Sequence, residues 1–198
     1  MDARPPPARD YAGAARRIAV ALATAGALAA AGWWAWQQPF MAHARTLYEI
    51  ARMQPPTTLP VPVDDVAASR IADTWGAPRG SDRRHQGVDI FAPRGTVVRS
   101  TTRGVVVSLR EGGLGGRQVW VLGPARQRHY YAHLDSWADG LAEGDVVWPG
   151  DALGGVGDSG NARGTPTHLH YGVYGDGGAI DPLPLMRADR SPGGSSPR

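Results

Sequence analysis

Four of the chain's six histidines fall in three short strings, His85-Gln-Gly-Val-Asp89, Tyr131-Ala-His133-Leu134 and His168-Leu-His170. Side chains alternate faces along a β-strand, so His85 with Asp89, and His168 with His170, would each share a face. Pairing two such strands converges four donor groups. Zinc accepts imidazole nitrogen and carboxylate oxygen, and a catalytic zinc site takes three protein ligands and leaves one position open for water. Residues enough to fill that quota are present. The chemistry such a site would serve is metal-assisted hydrolysis of a peptide bond.

A water activated in this way needs a group to hold it and accept its proton. The chain has only three glutamates, Glu49, Glu111 and Glu143, and none adjoins a candidate ligand. Histidine is therefore the expected base, since an imidazole with an unperturbed pKa of about 6.5 suits the task. A second, protonated imidazole would steady the oxyanion of the tetrahedral intermediate. His129 shares strand parity with His133 and is expected at the rim of the same groove, partly exposed. Tyr131 has two roles open to it: a hydroxyl offered to substrate, or a packed strand tyrosine with its hydroxyl satisfied. Asn161 and Arg163, in the loop before the last string, are candidate substrate contacts.

Composition removes several other chemistries. The chain has no cysteine, so disulfides and thiolate metal sites are excluded, and His, Asp or Glu must supply any metal ligand. It has no lysine either, which excludes Schiff-base, P-loop and lysyl-carrier functions. The net charge of +3 comes from arginines that are scattered, with no aromatic-interleaved basic stripe, so no nucleic-acid partner is expected. At 198 residues with 42% hydrophobic content, the chain has room for one ordinary domain plus appendages. Nothing in the sequence speaks to oligomeric state.

The elements that must carry these residues follow from patterning. From Ile18 to Trp36 there is no charge and one hydroxyl, Thr24, in a stretch that as a helix roughly matches a bilayer's hydrocarbon thickness. Trp33, Trp34 and Trp36 crowd its far end, where amphipathic rings favour the membrane interface. Arg4, Arg9, Arg16 and Arg17 precede it and place the N-terminus in the cytoplasm. The rival is a cleaved signal peptide ending near Ala29-Ala30-Ala31, and either way the remainder leaves the cytoplasm. A short helical pattern over Phe40–Met53 extends the span as a stalk, and Pro55, Pro56, Pro60 and Pro62 make a stiff connector. Beyond it the pattern is all-β: Thr96–Val98, Gly104–Leu109, Gln118–Leu122, His129–Leu134 and His168–Tyr174 are β-branched or aromatic runs bounded by glycine. Gly123 to Arg128 reads as a hairpin turn and Gly112 to Gly116 as a flexible loop. Glycines near the histidines suggest the close approach of an extended peptide.

Together, His85-x-Gly87-x-Asp89, Tyr131-Ala-His133-Leu134 and His168-Leu-His170 resemble the signature of the LytM/lysostaphin-type zinc endopeptidases, which cleave peptidoglycan peptides. The resemblance extends to Trp75-Gly-Ala-Pro-Arg79, Ala92-Pro-Arg-Gly-Thr96 and Gly144-Asp-Val-Val-Trp-Pro-Gly150 leading to Gly157-Asp-Ser-Gly160. It implies one zinc ion held by His85, Asp89 and His170, with His133 and His168 as the unligated catalytic pair. It also implies a twisted antiparallel sheet forming a groove, related to the lipoyl and biotinyl barrel-sandwich folds, and a peptidoglycan peptide as substrate. Thr167 before the last string and Tyr171-Gly172 after it depart from the family's commoner residues without removing a donor.

The expected organisation is a cytoplasmic segment over 1–17, a transmembrane anchor or signal peptide over 18–36, and a stalk and linker over 37–58. The metallopeptidase domain spans 59–186 and a disordered tail 187–198. The protein is expected in the inner (cytoplasmic) membrane, single-pass, with its catalytic domain periplasmic or extracellular. The alternative is a catalytically silent wall-binding module that recruits or activates another hydrolase.

Overall fold

The computed structural model describes residues 11–80 and 82–188. Residues 1–10 and 189–198, which include most of the expected N-terminal segment and tail, lie outside the described residues. The chain divides into two units, Met1–Arg45 and Thr46–Arg198.

In the first unit, helix α1 (Tyr11–Gln37) runs for 27 residues, about 40 Å at a rise of 1.5 Å per residue. Alanine dominates it and proline is absent, which suits an uninterrupted helix. The carbonyls orphaned at its end find donors: the Gln38 amide bonds the Trp34 carbonyl at 3.1 Å, and the Arg45 guanidinium bonds those of Trp36 and Gln38. No residue of α1 is buried, and the helix is long and apolar enough to cross a membrane.

Helix α2 (Ala42–Arg52) enters the second unit at Thr46. Its Ile50 is fully buried, and the Met53 carbonyl beyond it accepts the Ala125 N–H at 3.0 Å. This differs from a free-standing stalk, because Leu47, Ile50 and Ala51 fall on one helical face and Ile50 is taken up by the folded domain. The connector that follows reaches the core at Leu59, whose N–H bonds the Leu185 carbonyl at 3.1 Å.

Strands β1 (Pro78–Arg79) and β2 (Arg83–Arg84) make a small antiparallel ribbon. The nine others form one antiparallel sheet: β3 (Val88–Phe91), β4 (Val97–Arg99), β5 (Gly104–Gly112), β6 (Gly116–Leu122), β7 (Arg128–Trp137), β8 (Val146–Val147), β9 (Ala152–Val156), β10 (His168–Gly175) and β11 (Gly178–Ile180). Its main path is β11-β10-β7-β6-β5-β8, with β3 added to β10, and β9 joining β4 to β7. A short helix, α3 (Leu183–Ala188), closes the described domain.

All five runs expected from sequence fall on strands, and Gly123 to Arg128 makes the β6–β7 turn. Alternation explains how the sheet divides its labour. On β10, Leu169, Tyr171 and Val173 are buried in the core, and on β3 so are Val88 and Ile90. His168, His170 and Asp89 therefore project from the opposite face.

Candidate active site

Strands β3 and β10 pair with His170 directly opposite Asp89 and His168 opposite Phe91, so Asp89 and both histidines emerge side by side. His85 reaches them from outside any strand. It follows β2, where its N–H bonds the Ala77 carbonyl and its own carbonyl accepts the Gly76 N–H, both at 2.9 Å. Gly87 lets this segment lie against β10, since a Cβ there would stand 2.5 Å from the Tyr171 carbonyl oxygen. Three donor atoms then meet: His85 Nε2 lies 2.8 Å from His170 Nδ1 and 3.0 Å from Asp89 Oδ1, and His170 Nδ1 lies 3.1 Å from Asp89 Oδ1. Ligands about 2.0 Å from a tetrahedral centre would be roughly 3.3 Å apart, so two imidazoles and one carboxylate at these spacings fit a single zinc ion.

His133 arrives by a break in the strand pattern. Between the pairs Val119–Tyr131 and Arg117–Leu134, β7 carries one residue more than β6, a β-bulge, and His133 has a φ of 65°. Simple alternation would aim His133 to the core side with His129 and Tyr131. The left-handed residue turns it to the groove side, where its ring centroid is 5.1 Å from that of His168 and 5.9 Å from that of His170.

Backbone carbonyls set the protonation pattern. Nδ1 of His85, His133 and His168 lies 2.7, 2.9 and 2.8 Å from the carbonyl oxygens of Thr74, Ser159 and Pro166. A carbonyl can only accept, so each Nδ1 carries the proton and each Nε2 of a neutral ring keeps its lone pair. Burial pushes Asp89 toward protonation, but the His170 and His85 rings, which donate to it and carry positive charge when protonated, outweigh burial and hold the carboxyl well below the usual carboxylate range. Burial, with the neighbouring His170 and His168, brings His133 down to about 4, so it is neutral and able to accept a proton at neutral pH. Burial also lowers His170.

Residues 83–182, which hold every one of these side chains, match the model of peptidase family M23. The chain belongs to peptidase family M23. A Bacillus subtilis (strain 168) protein named L-Ala--D-Glu endopeptidase is 41% identical over 58% of this chain, which spans 39% of that protein's length. The catalytic domain of lysostaphin from Staphylococcus simulans matches with a TM-score of 0.53 at 27% identity, covering 61% of this chain and 95% of that one. A zinc-containing peptidase from Vibrio cholerae matches with a TM-score of 0.56 at 25% identity, over 67% of this chain and 40% of its own.

The M23 site opens into a cavity of about 590 Å³, lined by His85, Asp89, His133, His168 and His170 among others. Asn161 is exposed at its edge, whereas Arg163 is not among the lining residues. Tyr131 does not line the cavity. It is fully buried, and its hydroxyl accepts the Thr101 N–H at 3.0 Å and meets Thr101 Oγ1 at 2.9 Å. The groove tyrosines are its neighbour Tyr130 and Tyr174, which alternation places on the other face. His129 is likewise no rim residue: it is fully buried, with Nδ1 2.8 Å from the Tyr171 hydroxyl.

Several glycines beside the M23 histidines admit the chain's own backbone. A Cβ on Gly116 would meet Gly160 N at 2.3 Å, and that contact holds the Ser159 carbonyl against His133. Of the expected flexible loop over 112–116, Gly112, Gly113 and Leu114 are exposed, whereas Gly115 and Gly116 are buried and the Gly115 carbonyl accepts the His133 N–H at 2.9 Å. Two further contributors are not among the expected site residues. Thr74 Oγ1 accepts the Asp89 N–H at 3.0 Å, and the Arg79 guanidinium donates to Asp89 Oδ2.

Proposed function

We propose that this protein is a membrane-anchored zinc endopeptidase that hydrolyses peptide bonds in peptidoglycan stem peptides or cross-links. The observation that carries the proposal is the convergence of five side chains, His85, Asp89, His170, His133 and His168, with the Nε2 lone pairs of His85, His133 and His168 left free by Nδ1–H bonds to backbone carbonyls. His85 Nε2, Asp89 Oδ1 and His170 Nδ1 would hold the metal. Bound there, zinc lowers the pKa of water from 15.7 to roughly 7 and so supplies a nucleophile at neutral pH.

The chain's own groups do the rest. His133 and His168 face the cluster without belonging to it. The Nε2 of one accepts the single proton released on attack and passes it to the departing amine, while the other ring, when protonated, donates a hydrogen bond to the oxyanion. His133 enters the cycle neutral, because burial disfavours its cation. The substrate lies in this cavity, whose lining includes residues of the β1–β2 ribbon, Leu114, Asn161 and Tyr130. The peptidoglycan assignment is supported by family membership and by the names of the relatives. The apolar α1 supports an anchor that keeps the domain on the outer side of the cytoplasmic membrane.

Replacing His85 or Asp89 with alanine is expected to abolish zinc retention and muropeptide release from purified sacculi together. A zinc-free variant that still digests sacculi would refute the mechanism. Full zinc occupancy with no released product from any wall would leave recruitment of another hydrolase as the function.

A further inference from the structure

One wall of the groove is more basic than the hydrolytic chemistry requires. Arg79, Arg83 and Arg84, all on the β1–β2 ribbon, line the same cavity as the metal-site histidines. The acidic residues lining it are Asp82 and Asp89, so three cations stand against two anions before any metal is counted. Arg79 and Arg83 are directly opposite in the ribbon, an arrangement of like charges that costs stability in an antiparallel pair. Arg79 is engaged with Asp89 Oδ2. Arg84 spends one donor on the Gly76 carbonyl at 3.3 Å. Arg83 is exposed and, among the described residues, has no hydrogen-bond or ion-pair partner. Leu114, Asn161 and Thr165, which also line the cavity, are uncharged.

We propose that Arg83, with Arg84 beside it, binds a free carboxylate of the peptide substrate, so that the enzyme selects anionic stem peptides over neutral bridges such as oligoglycine. The guanidinium fork matches a carboxylate in two parallel hydrogen bonds, and the half-enclosed groove makes such a pair stronger than on an open surface. An extended peptide crossing the Asp89–His170 face carries alternate side groups to the ribbon side, within the same cavity as Arg83. The inference rests on the peptidase proposal above and names its substrate class.

The test compares two preparations of the same sacculi: one untreated, one with its free carboxylates converted to carboxamides by carbodiimide and ammonia. The detergent-solubilised, zinc-loaded full chain is expected to release peptides from untreated sacculi at least about tenfold faster than from amidated ones, the scale of one charge-assisted hydrogen bond. Arg83→Gln should slow digestion of untreated sacculi toward the amidated rate, so that the ratio between the two preparations falls toward one. Wild-type zinc content and melting temperature of the variant show that it is folded. Equal wild-type rates on both preparations, or a preference that survives Arg83→Gln, overturns the carboxylate assignment while the peptidase stands. Failure to digest either preparation removes the peptidase proposal and this one with it.

Discussion

The carbonyl oxygen of Thr74 accepts the Nδ1–H of His85 at 2.7 Å, and this fixes which nitrogen of that ring faces Asp89. The same residue's Oγ1 accepts the Asp89 N–H at 3.0 Å, so one threonine holds two members of the donor cluster. Thr74→Val keeps the shape and the carbonyl but leaves a largely buried N–H without its acceptor, at a cost of about 1–3 kcal/mol. Partners of metal ligands are worth roughly 10–100-fold in metal affinity when removed. Zinc affinity measured by chelator competition is expected to fall within that range, with the circular dichroism spectrum unchanged. Wild-type affinity in the valine variant would show that Thr74 acts on folding alone.

Gly116 and Gly160 touch through their backbones, and the contact positions Ser159 against the ring of His133. A Cβ at Gly116, where φ is 62°, would lie 2.3 Å from Gly160 N and 2.4 Å from Ser159 Oγ. Gly116→Ala therefore combines left-handed strain with a backbone clash, about 1–3 kcal/mol or more. His85, Asp89 and His170 stand on other segments. Turnover of sacculi should fall much further than zinc content does, with a lowered melting temperature. Loss of zinc in proportion to turnover would mean that the turn supports the metal ligands instead.

Strand parity in the sequence is enough to pair Asp89 with His170 and to place His168 beside them, because those positions lie in regular β3 and β10. The same rule misplaces His129 and leaves Tyr131 open. It carries His129, Tyr131 and His133 to one face, and only the bulge, with His133 in a left-handed conformation, separates the last from the other two. His85 meets Asp89 as expected but from a loop, where its position depends on backbone pairing with Gly76 and Ala77. Thr74 and Arg79 are invisible as site residues because they act through the carbonyl and side chain of residues eleven and ten positions from their targets, in a segment without periodicity. The sheet is legible in its long β-branched strands, whereas β1, β2 and β8 are each two residues long and carry no pattern.

The buried His129 makes stability depend on pH independently of the site. Burial lowers its pKa to about 4, against an ordinary value near 6.5 in the unfolded chain. The unfolded state therefore binds the proton first as pH falls. The contribution is fully present above about pH 6.5 and is lost progressively between there and about pH 4, amounting to about 3 kcal/mol at the acid end. Urea midpoints of the zinc-loaded protein should drop over that window. In His129→Gln the slope attributable to this ring should disappear, and a variant that keeps the wild-type slope would assign it to other groups.

Ile50 tests where the folded domain begins. It is fully buried on α2, ahead of the expected start of the domain at residue 59 and well past the apolar run of α1. A large-to-small change at such a site loses transfer free energy and leaves a cavity, so Ile50→Ala is expected to destabilise the second unit by about 2–5 kcal/mol. Tyr48→Ala, on the same helix but half exposed, should cost far less, since little area leaves water there. Thermal melts of the full chain in detergent, followed at the near-ultraviolet signal of the domain's aromatic residues, compare the two. If both variants melt with the wild type, α2 is a tether that contributes nothing to the fold, and the stalk expected from sequence would regain its full length.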